Sequence, residues 1–269
     1  MQNILTVDVE DWYQGNARIP YQDAWRFESR IEKSVDQVLG ILDEYETQAT
    51  FFILGHLAES HGQVVKQIQN HGHEIATHGY SHQLIFKQKP AEFAEELYRS
   101  IALCEDLTGR AVMGHRASNW SVTSQSLWAL DLLKKAGLRY DSSVYPVRTG
   151  YFGISGRSRE PHILDNGLIE VPPSTVSVAN YTIPFAGGFF LRTLPYGLVE
   201  WAVRRVNAEG HPAVVYLHPW ELDQDQPKNL PVPFIDQFIH YHNLDTTEAK
   251  LRRLCSQFSF GTVMETIAL

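Results

Sequence analysis

The chain has 269 residues, 43% of them hydrophobic and 12% aromatic, which is enough to bury a substantial core as one large domain. Its net charge of -8 argues against nucleic acid or an anionic membrane surface as the main partner. Two cysteines exclude a disulfide framework, and no apolar run has the length of a signal peptide or a membrane span, so we expect two buried thiols and a cytoplasmic protein.

Short apolar runs alternate with helical patterns along the chain. Strands are predicted at residues 4–9, 49–54, 74–77, 111–116, 168–171 and 213–218. Helices are predicted at residues 30–45, 64–68, 90–108, 124–136 and 196–208. Pro90 suits a first helical turn, and Gly109 and Gly210 suit helix ends. Repeated βα units of this kind predict an α/β fold with a parallel sheet or barrel.

Residues 145–195 differ from the rest of the chain in composition. They are rich in glycine, proline, serine and aromatic residues, and only short strands are predicted there. We interpret them as a loop-rich insertion in the same domain, so that residues 1–269 form a single domain. The sequence gives no oligomeric state.

His78 and His82 stand four residues apart, directly after the strand-like residues 74–77. Two imidazoles at this spacing in one turn can point at a single centre, as a divalent metal requires. Both rings follow a strand end, where parallel α/β folds place their chemistry. A chain with 12 histidines also contains such spacings by chance, so two surface histidines remain the alternative.

Polar residues follow five of the predicted strands or helices. The clusters are residues 8–11, 78–82, 115–116, 141–143 and 218–221. Each alone has a structural explanation, as a helix cap, a surface ion pair or a turn. In a parallel α/β barrel the carboxyl ends of the strands converge on one face, so together they predict one active site.

The ordered set of motifs resembles the NodB-homology polysaccharide deacetylases, carbohydrate esterase family 4. The motifs are Thr6-Val7-Asp8-Val9-Glu10-Asp11, His78-Gly79-Tyr80-Ser81-His82, Arg116-Ala117-Ser118, Asp141-Ser142-Ser143 and Leu217-His218. Residues 187–192, 218–221 and 243–245 further resemble the subgroup found in exopolysaccharide loci associated with exosortase systems. The resemblance implies a distorted (β/α) barrel of seven strands, with residues 220–269 as a C-terminal extension specific to the subgroup.

The resemblance also implies one divalent metal, with Zn²⁺ as first choice and Co²⁺, Ni²⁺ or Mn²⁺ as alternatives. Its ligands would be His78, His82 and one carboxylate. That carboxylate is ambiguous, because the first motif has Asp-Val-Glu-Asp where the family has Asp-Asp. Glu10 shares a strand face with Asp8, whereas Asp11 has the shorter side chain that the family uses. We retain both, with a slight preference for Asp11.

The same resemblance assigns the proton transfers. Asp8 would be the general base, oriented by Arg116, and His218 would be the general acid, held by Asp141. A backbone N–H near Asn119 would help to stabilise the oxyanion. The aromatic candidates for stacking on sugar rings, each with core packing as the alternative, are Trp120, Trp220 and Tyr145. The histidines to which we assign packing or surface positions only are His56, His61, His71 and His115.

The expected function is metal-dependent removal of N-acetyl groups, or less readily O-acetyl groups, from a polysaccharide that contains amino sugars, or from its precursor. One alternative is a small-molecule amidohydrolase on the same scaffold. The loop-rich residues 145–195 favour an extended sugar site over a closed pocket. The other is a non-catalytic carbohydrate-binding relative, although such a protein would not need the complete set of polar residues.

Overall fold

The computed structural model describes residues 1–15, 18–147, 152–179 and 181–267. Its strands are β1 (Asn3–Val9), β2 (Thr50–Ile53), β3 (Glu74–Thr77), β4 (Gly114–His115), β5 (Tyr140–Asp141), β6 (His162–Ile163), β7 (Ile169–Glu170), β8 (Thr175–Val178), β9 (Tyr181–Pro184), β10 (Val214–Leu217) and β11 (Phe260–Gly261). Its α-helices are α1 (Ile31–Glu44), α2 (Gly55–Ser60), α3 (Gly62–Asn70), α4 (Pro90–Thr108), α5 (Trp128–Lys135), α6 (Gly188–Thr193), α7 (Tyr196–Ala208), α8 (Phe234–Tyr241), α9 (Thr247–Gln257) and α10 (Val263–Ile267). Short 3-10 helices lie at Tyr21–Arg26, Ile85–Lys87, Ser118–Trp120, Pro219–Leu222 and Leu244–Thr246.

Seven consecutive strands of the main sheet run parallel, in the order β10-β1-β2-β3-β4-β5-β7. Strand β6 joins the edge antiparallel to β7, and β11 pairs with the start of β1. Among the described residues the order does not return from β6 to β10, so the barrel is open on that side. The α/β fold and the distorted barrel of seven parallel strands are confirmed.

Most predicted elements lie where the sequence placed them, and two regions differ. Helix α5 begins at Trp128 instead of residue 124. The Ser126 hydroxyl donates to the Ser121 carbonyl and accepts from the Thr123 N–H, which holds a turn that competes with the helix. The stretch 145–195, of which residues 148–151 and 180 lie outside the described part, contributes β7 to the sheet and a separate hairpin of β8 and β9.

One face of β1 packs in the hydrophobic core, and the other carries polar side chains toward its carboxyl end. Leu5, Val7 and Val9 point outward into the main hydrophobic core beneath the helices. Ile4 lies in a second apolar cluster on the other face, where Thr6 and Asp8 follow it at alternate positions. Because side chains alternate along a strand, the inner face changes from apolar to polar toward the carboxyl end.

The strand register determines which side chains meet at that end. Val9, Ile53, Thr77, His115 and Asp141 form one row of pairing partners across five strands. The next residue along four of these strands is polar, namely Glu10, His78, Arg116 and Ser142. On the other side of β1, Val7 pairs with Leu217, which brings the following residues, Asp8 and His218, to one level.

Gly114 is required by the close approach of the Tyr140 ring to β4. A Cβ atom on Gly114 would lie 1.8 Å from Cζ of the Tyr140 ring. The ring therefore occupies the space of a side chain, and its hydroxyl donates to Glu74 on β3 at 2.9 Å. Any larger residue at position 114 would separate β4 from β5.

Two further expectations can be compared with the structure. Cys104 and Cys255 are both buried and unpaired, as predicted. Within the described residues, none of the helices combines the length and the apolar composition that a bilayer crossing needs.

Candidate active site

Glu10, His78 and His82 bring their ligand atoms together, all within 4.8 Å of one another. Glu10 Oε1 lies 3.1 Å from Nε2 of His78 and 2.8 Å from Nε2 of His82, and all three residues are buried. His78 Nδ1 lies 2.8 Å from the Arg116 carbonyl, and a single ring proton held there would make Nε2 available to a bound cation. Two imidazole nitrogens and one carboxylate oxygen form a donor set that fits a zinc-type cation with open positions.

The carboxylate of this cluster is held in its charged form. Burial raises the pKa of Glu10, but the charges of His82 and His218 and the hydrogen bonds from both clustered histidines outweigh it. The net effect is a pKa well below the usual range. An ionised carboxylate is the form that binds a cation.

Asp11 lies outside the cluster, which corrects our preference for it as the metal ligand. Its carboxylate accepts the backbone N–H of Trp12 at 2.9 Å and that of Arg30 at 3.2 Å, at the start of α1. The physical reason is the alternation along β1, which continues to Glu10 on the inner face and turns the next residue away. Of the two candidate carboxylates, the geometry therefore favours Glu10.

The loop that carries both histidines depends on left-handed backbone. Gly79 has φ 75° and His82 has φ 60°. The first value suits a glycine, since glycine adopts this region without steric cost. The second places a non-glycine residue in a strained conformation, as is common at functional sites.

Arg116 is fully buried beneath the site and holds Asp8. Its Nη1 donates to Asp8 Oδ1 at 2.7 Å and to the Thr6 hydroxyl at 2.8 Å. Nη2 donates to the Ser142 hydroxyl at 2.8 Å, and the guanidinium lies 4.2 Å from the Phe52 ring centroid. Asp8 is thus oriented through one oxygen, while its Oδ2 lies 3.9 Å from His218 Nε2.

His218 is held by Glu221 and not by Asp141, which corrects the assignment taken from the resemblance. Glu221 Oε2 lies 3.0 Å from Nδ1 of His218 and accepts its backbone N–H at 2.9 Å. Burial disfavours the charged imidazole, but the carboxylates of Glu10, Glu221 and Asp8 outweigh it and raise the pKa of His218 to about 9. His218 Nε2 therefore points as a proton donor toward Asp8 and Glu10.

Glu221 is itself held by Arg192 from α6. Arg192 Nε lies 2.7 Å from Glu221 Oε1, an ion-pair contact that lacks the angles of a hydrogen bond. Its other nitrogens donate to the carbonyls of Ile239, His240 and His242 at the end of α8. Burial raises the pKa of Glu221, but the charge of Arg192 and the His218 hydrogen bond lower it overall.

Asp141 belongs to a separate buried group. Its Oδ1 lies 2.8 Å from Nδ1 of His115 and accepts the Ser143 hydroxyl at 2.6 Å. Glu170 is its pairing partner on β7, and both side chains are fully buried. His115, which we expected to pack without a role, orients Asp141. Burial and the charge of Asp141 hold the pKa of Glu170 well above its usual range, so Glu170 is the protonated member.

Glu170→Gln should change how the stability of the protein depends on pH. A carboxyl whose folded pKa is raised stabilises the fold below its unfolded pKa, near 4.5, and this contribution is lost as pH rises. Glutamine copies the protonated group at every pH. The free energy of unfolding of the variant should therefore rise relative to that of the wild type above pH 5, by up to about 1.4 kcal/mol per pH unit.

Urea unfolding of both proteins between pH 5 and 8 measures this difference. Glu32→Gln, at an exposed position in the first turn of α1, is the reference for a change of surface charge. If the difference in free energy of unfolding between Glu170→Gln and wild type stays constant over this range, Glu170 is not protonated.

The cavity above these residues contains the predicted substrate-binding positions. Asn119, Trp120 and Trp220 line it together with Asp8 and His218. Both tryptophans are also packed, since the Trp120 ring stacks on Tyr145 at 5.5 Å and the Trp220 ring on His218 at 5.3 Å. Their contact with a sugar stays a prediction.

Sequence reasoning gave no role to Glu221, Arg192 or His240, which surround His218. A signal for the first was present, because Glu221 stands three residues after His218 with Pro219 between them, the spacing of a helix-capping pair. His240, whose ring stacks on Trp220 at 4.2 Å, had no such signal. It comes from α8, which lies far along the chain.

Comparison with known proteins agrees with this fold. Residues 20–140 match the family model described as polysaccharide deacetylase, and residues 142–268 match a domain of unknown function, DUF3473. A peptidoglycan deacetylase from Helicobacter pylori is 32% identical over 126 residues, 44% of this chain and 42% of that protein. The chain thus aligns with less than half the length of this curated relative.

Two solved structures share the fold. A Mycobacterium smegmatis protein provisionally assigned as a polysaccharide deacetylase has a TM-score of 0.64 and 22% identity, covering 98% of this chain and 87% of its own. A protein from Bacillus anthracis described as a CE4 family pseudoenzyme has a TM-score of 0.52 and 14% identity, covering 99% and 66%.

The molecule is thus an α/β protein with a metal-type donor set at the carboxyl end of a parallel sheet. Residues 20–140 of the chain match the polysaccharide deacetylase family, and the parallel sheet and the metal-type cluster agree with that match. The exosortase-associated subgroup stays a prediction.

Proposed function

We propose that the protein is a metal-dependent hydrolase that removes N-acetyl groups from an amino-sugar polymer or its precursor. The observation that carries this proposal is the cluster of Glu10, His78 and His82, whose Glu10 lines the same cavity as Asp8 and His218. A cation site, a candidate base and a candidate acid at one cavity form the set that amide hydrolysis needs.

The chemistry of an amide defines what each residue would do. A divalent cation, with Zn²⁺ as first choice, would supply Lewis-acid activation of water and of the acetyl carbonyl. Asp8 accepts the proton of the attacking water, because its Oδ2 is not used by Arg116. His218 Nε2 delivers a proton to the leaving nitrogen, since an amide anion is too basic to depart.

The substrate class is supported by both the relatives and the cavity. The Helicobacter pylori relative is named for peptidoglycan, a polymer of acetylated amino sugars. The cavity lining includes four carboxylates, and its Arg192 is already engaged with Glu221 and three carbonyls. Arg192 is therefore not available to pair with an anionic sugar. A single domain over residues 1–269 and a cytoplasmic location stay predictions.

Acetate release from an N-acetylated chito-oligosaccharide by the metal-loaded protein tests the proposal. In a His218→Ala variant, the rate of acetate release from this amide should fall roughly 10²- to 10⁴-fold. The rate on an activated aryl acetate should fall far less, because its aryl oxide group leaves as a stabilised anion and needs little acid assistance. Glu221→Gln should show the same selective loss to a smaller degree, because it orients the imidazole.

Asp141→Asn is the matched control, since its side chain lies with His115 and not with His218. Any loss of rate in this variant should be the same on the amide and on the aryl ester. Equal losses on both substrates in folded, metal-loaded His218→Ala would refute the acid role. A metal-loaded wild type that binds the oligosaccharide without releasing acetate would favour the non-catalytic alternative.

A further inference from the structure

Helix α8 presents an apolar face to solvent. Phe234 is 81% exposed, Ile235 70%, Phe238 48% and Ile239 43%. These residues stand at positions i, i+1, i+4 and i+5, so they form one stripe along the helix. Four neighbouring exposed hydrophobic side chains on a short helix mark a binding surface more often than chance exposure does.

This face is continuous with the cavity of the candidate active site. Ile239 and Phe189 both line that cavity, together with Glu10 and His218. The Phe189 ring contacts the Phe238 ring at a centroid distance of 6.3 Å. We call Phe189, Phe234, Phe238 and Ile239 the aromatic shelf. It leads from the cavity wall outward along α8.

The shelf is built on a fixed helix. Arg192 donates to the carbonyls of Ile239 and His240 at 2.9 and 2.8 Å, which anchors the carboxyl end of α8. Gln237 donates to the carbonyls of Leu230 and Val232 at 3.1 Å each, which ties the helix to the preceding segment. The backbone that carries the exposed side chains is therefore held in place before any ligand binds, which lowers the entropic cost of binding.

Charge and size decide between the possible occupants. Asp236 on α8 pairs with Arg18 at 2.8 Å, and none of the four shelf residues is a lysine or arginine of the kind that attracts an anionic membrane. Four side chains of roughly 200 Å² each, about half of it exposed, offer on the order of 400 Å², which is below the ~800 Å² per partner that a stable dimer buries. The C–H faces of pyranose rings match exposed phenylalanine rings in both size and polarity.

We propose that the aromatic shelf binds the sugar rings that flank the reacting residue of an oligosaccharide. This inference rests on the proposed function, because it assumes that the reacting sugar occupies the cavity. It assigns a substrate-binding role to α8, which lies in the segment that matches the domain of unknown function.

Kinetics on a series of chito-oligosaccharides from dimer to hexamer test the shelf. Phe238→Ala and Phe234→Ala should each lower kcat/KM for the hexamer by roughly 10-fold, mainly through KM, and leave the dimer and an aryl acetate unchanged. Tyr98→Ala is the matched control, because Tyr98 is a half-exposed aromatic residue (52%) on α4, outside the cavity lining. This variant should leave kcat/KM unchanged for both the dimer and the hexamer.

Equal effects on dimer and hexamer, or none on either, would overturn the proposal. The proposal would also be overturned if Phe238→Ala and Phe234→Ala instead lost association with vesicles of anionic phospholipid, or lost self-association in sedimentation. If the wild type releases no acetate at all, the proposed function fails while the shelf is still testable. Hexamer affinity measured by calorimetry must then fall in Phe238→Ala and stay unchanged in Tyr98→Ala.

Discussion

The double variant His78→Ala/His82→Ala should contain no stoichiometric divalent metal, and its hydrolysis of N-acetylated substrate should fall to background. The two Nε2 atoms supply two of the three protein ligands that the structure brings together with Glu10 Oε1. A cation with one remaining carboxylate ligand has no reason to stay at this position. Elemental analysis of protein purified without added metal, before and after zinc loading, measures the content.

A second pair of variants decides the carboxylate ligand. Glu10→Gln should lose metal, whereas Asp11→Asn, the same chemical change one residue later, should retain it, because Asp11 accepts backbone N–H groups away from the cluster. His71→Ala controls for the loss of a histidine elsewhere on the surface. Stoichiometric metal in a folded double-histidine variant would place the site elsewhere.

Asp8→Asn should keep the metal and lose roughly 10²- to 10⁴-fold in turnover. An amide cannot accept the proton of the attacking water, but the three ligand atoms at Glu10, His78 and His82 are untouched. The amide oxygen can still accept from Arg116, whose hydrogen bonds to Thr6 and Ser142 are retained. Metal content and acetate release, measured on the same preparation, separate the two effects.

Loss of the carboxylate next to a buried guanidinium also destabilises the fold, so thermal unfolding must accompany the kinetics. Asp11→Asn again provides the comparison, as a buried aspartate on the same segment that should keep wild-type turnover. A folded, metal-loaded Asp8→Asn protein with near wild-type turnover would show that Asp8 is not the base.

The sequence by itself determined the class of fold and most of the site. Alternating apolar runs and helical patterns predicted the parallel α/β sheet, because strand and helix periods depend only on local geometry. The spacing of His78 and His82 predicted the metal-type cluster, since four residues in one turn bring two rings together. Ordered motifs predicted the pairing of Asp8 with Arg116, which the structure places 2.7 Å apart.

The tertiary structure decided what depends on partners distant in sequence. The strand register and the alternation along β1 direct Glu10 inward and Asp11 away, a difference that composition could not resolve. The partner of His218 is Glu221, because Arg192 and the end of α8 hold that carboxylate in place, while Asp141 pairs with His115. These contacts join residues up to 50 positions apart, and only packing brings such groups within hydrogen-bonding distance.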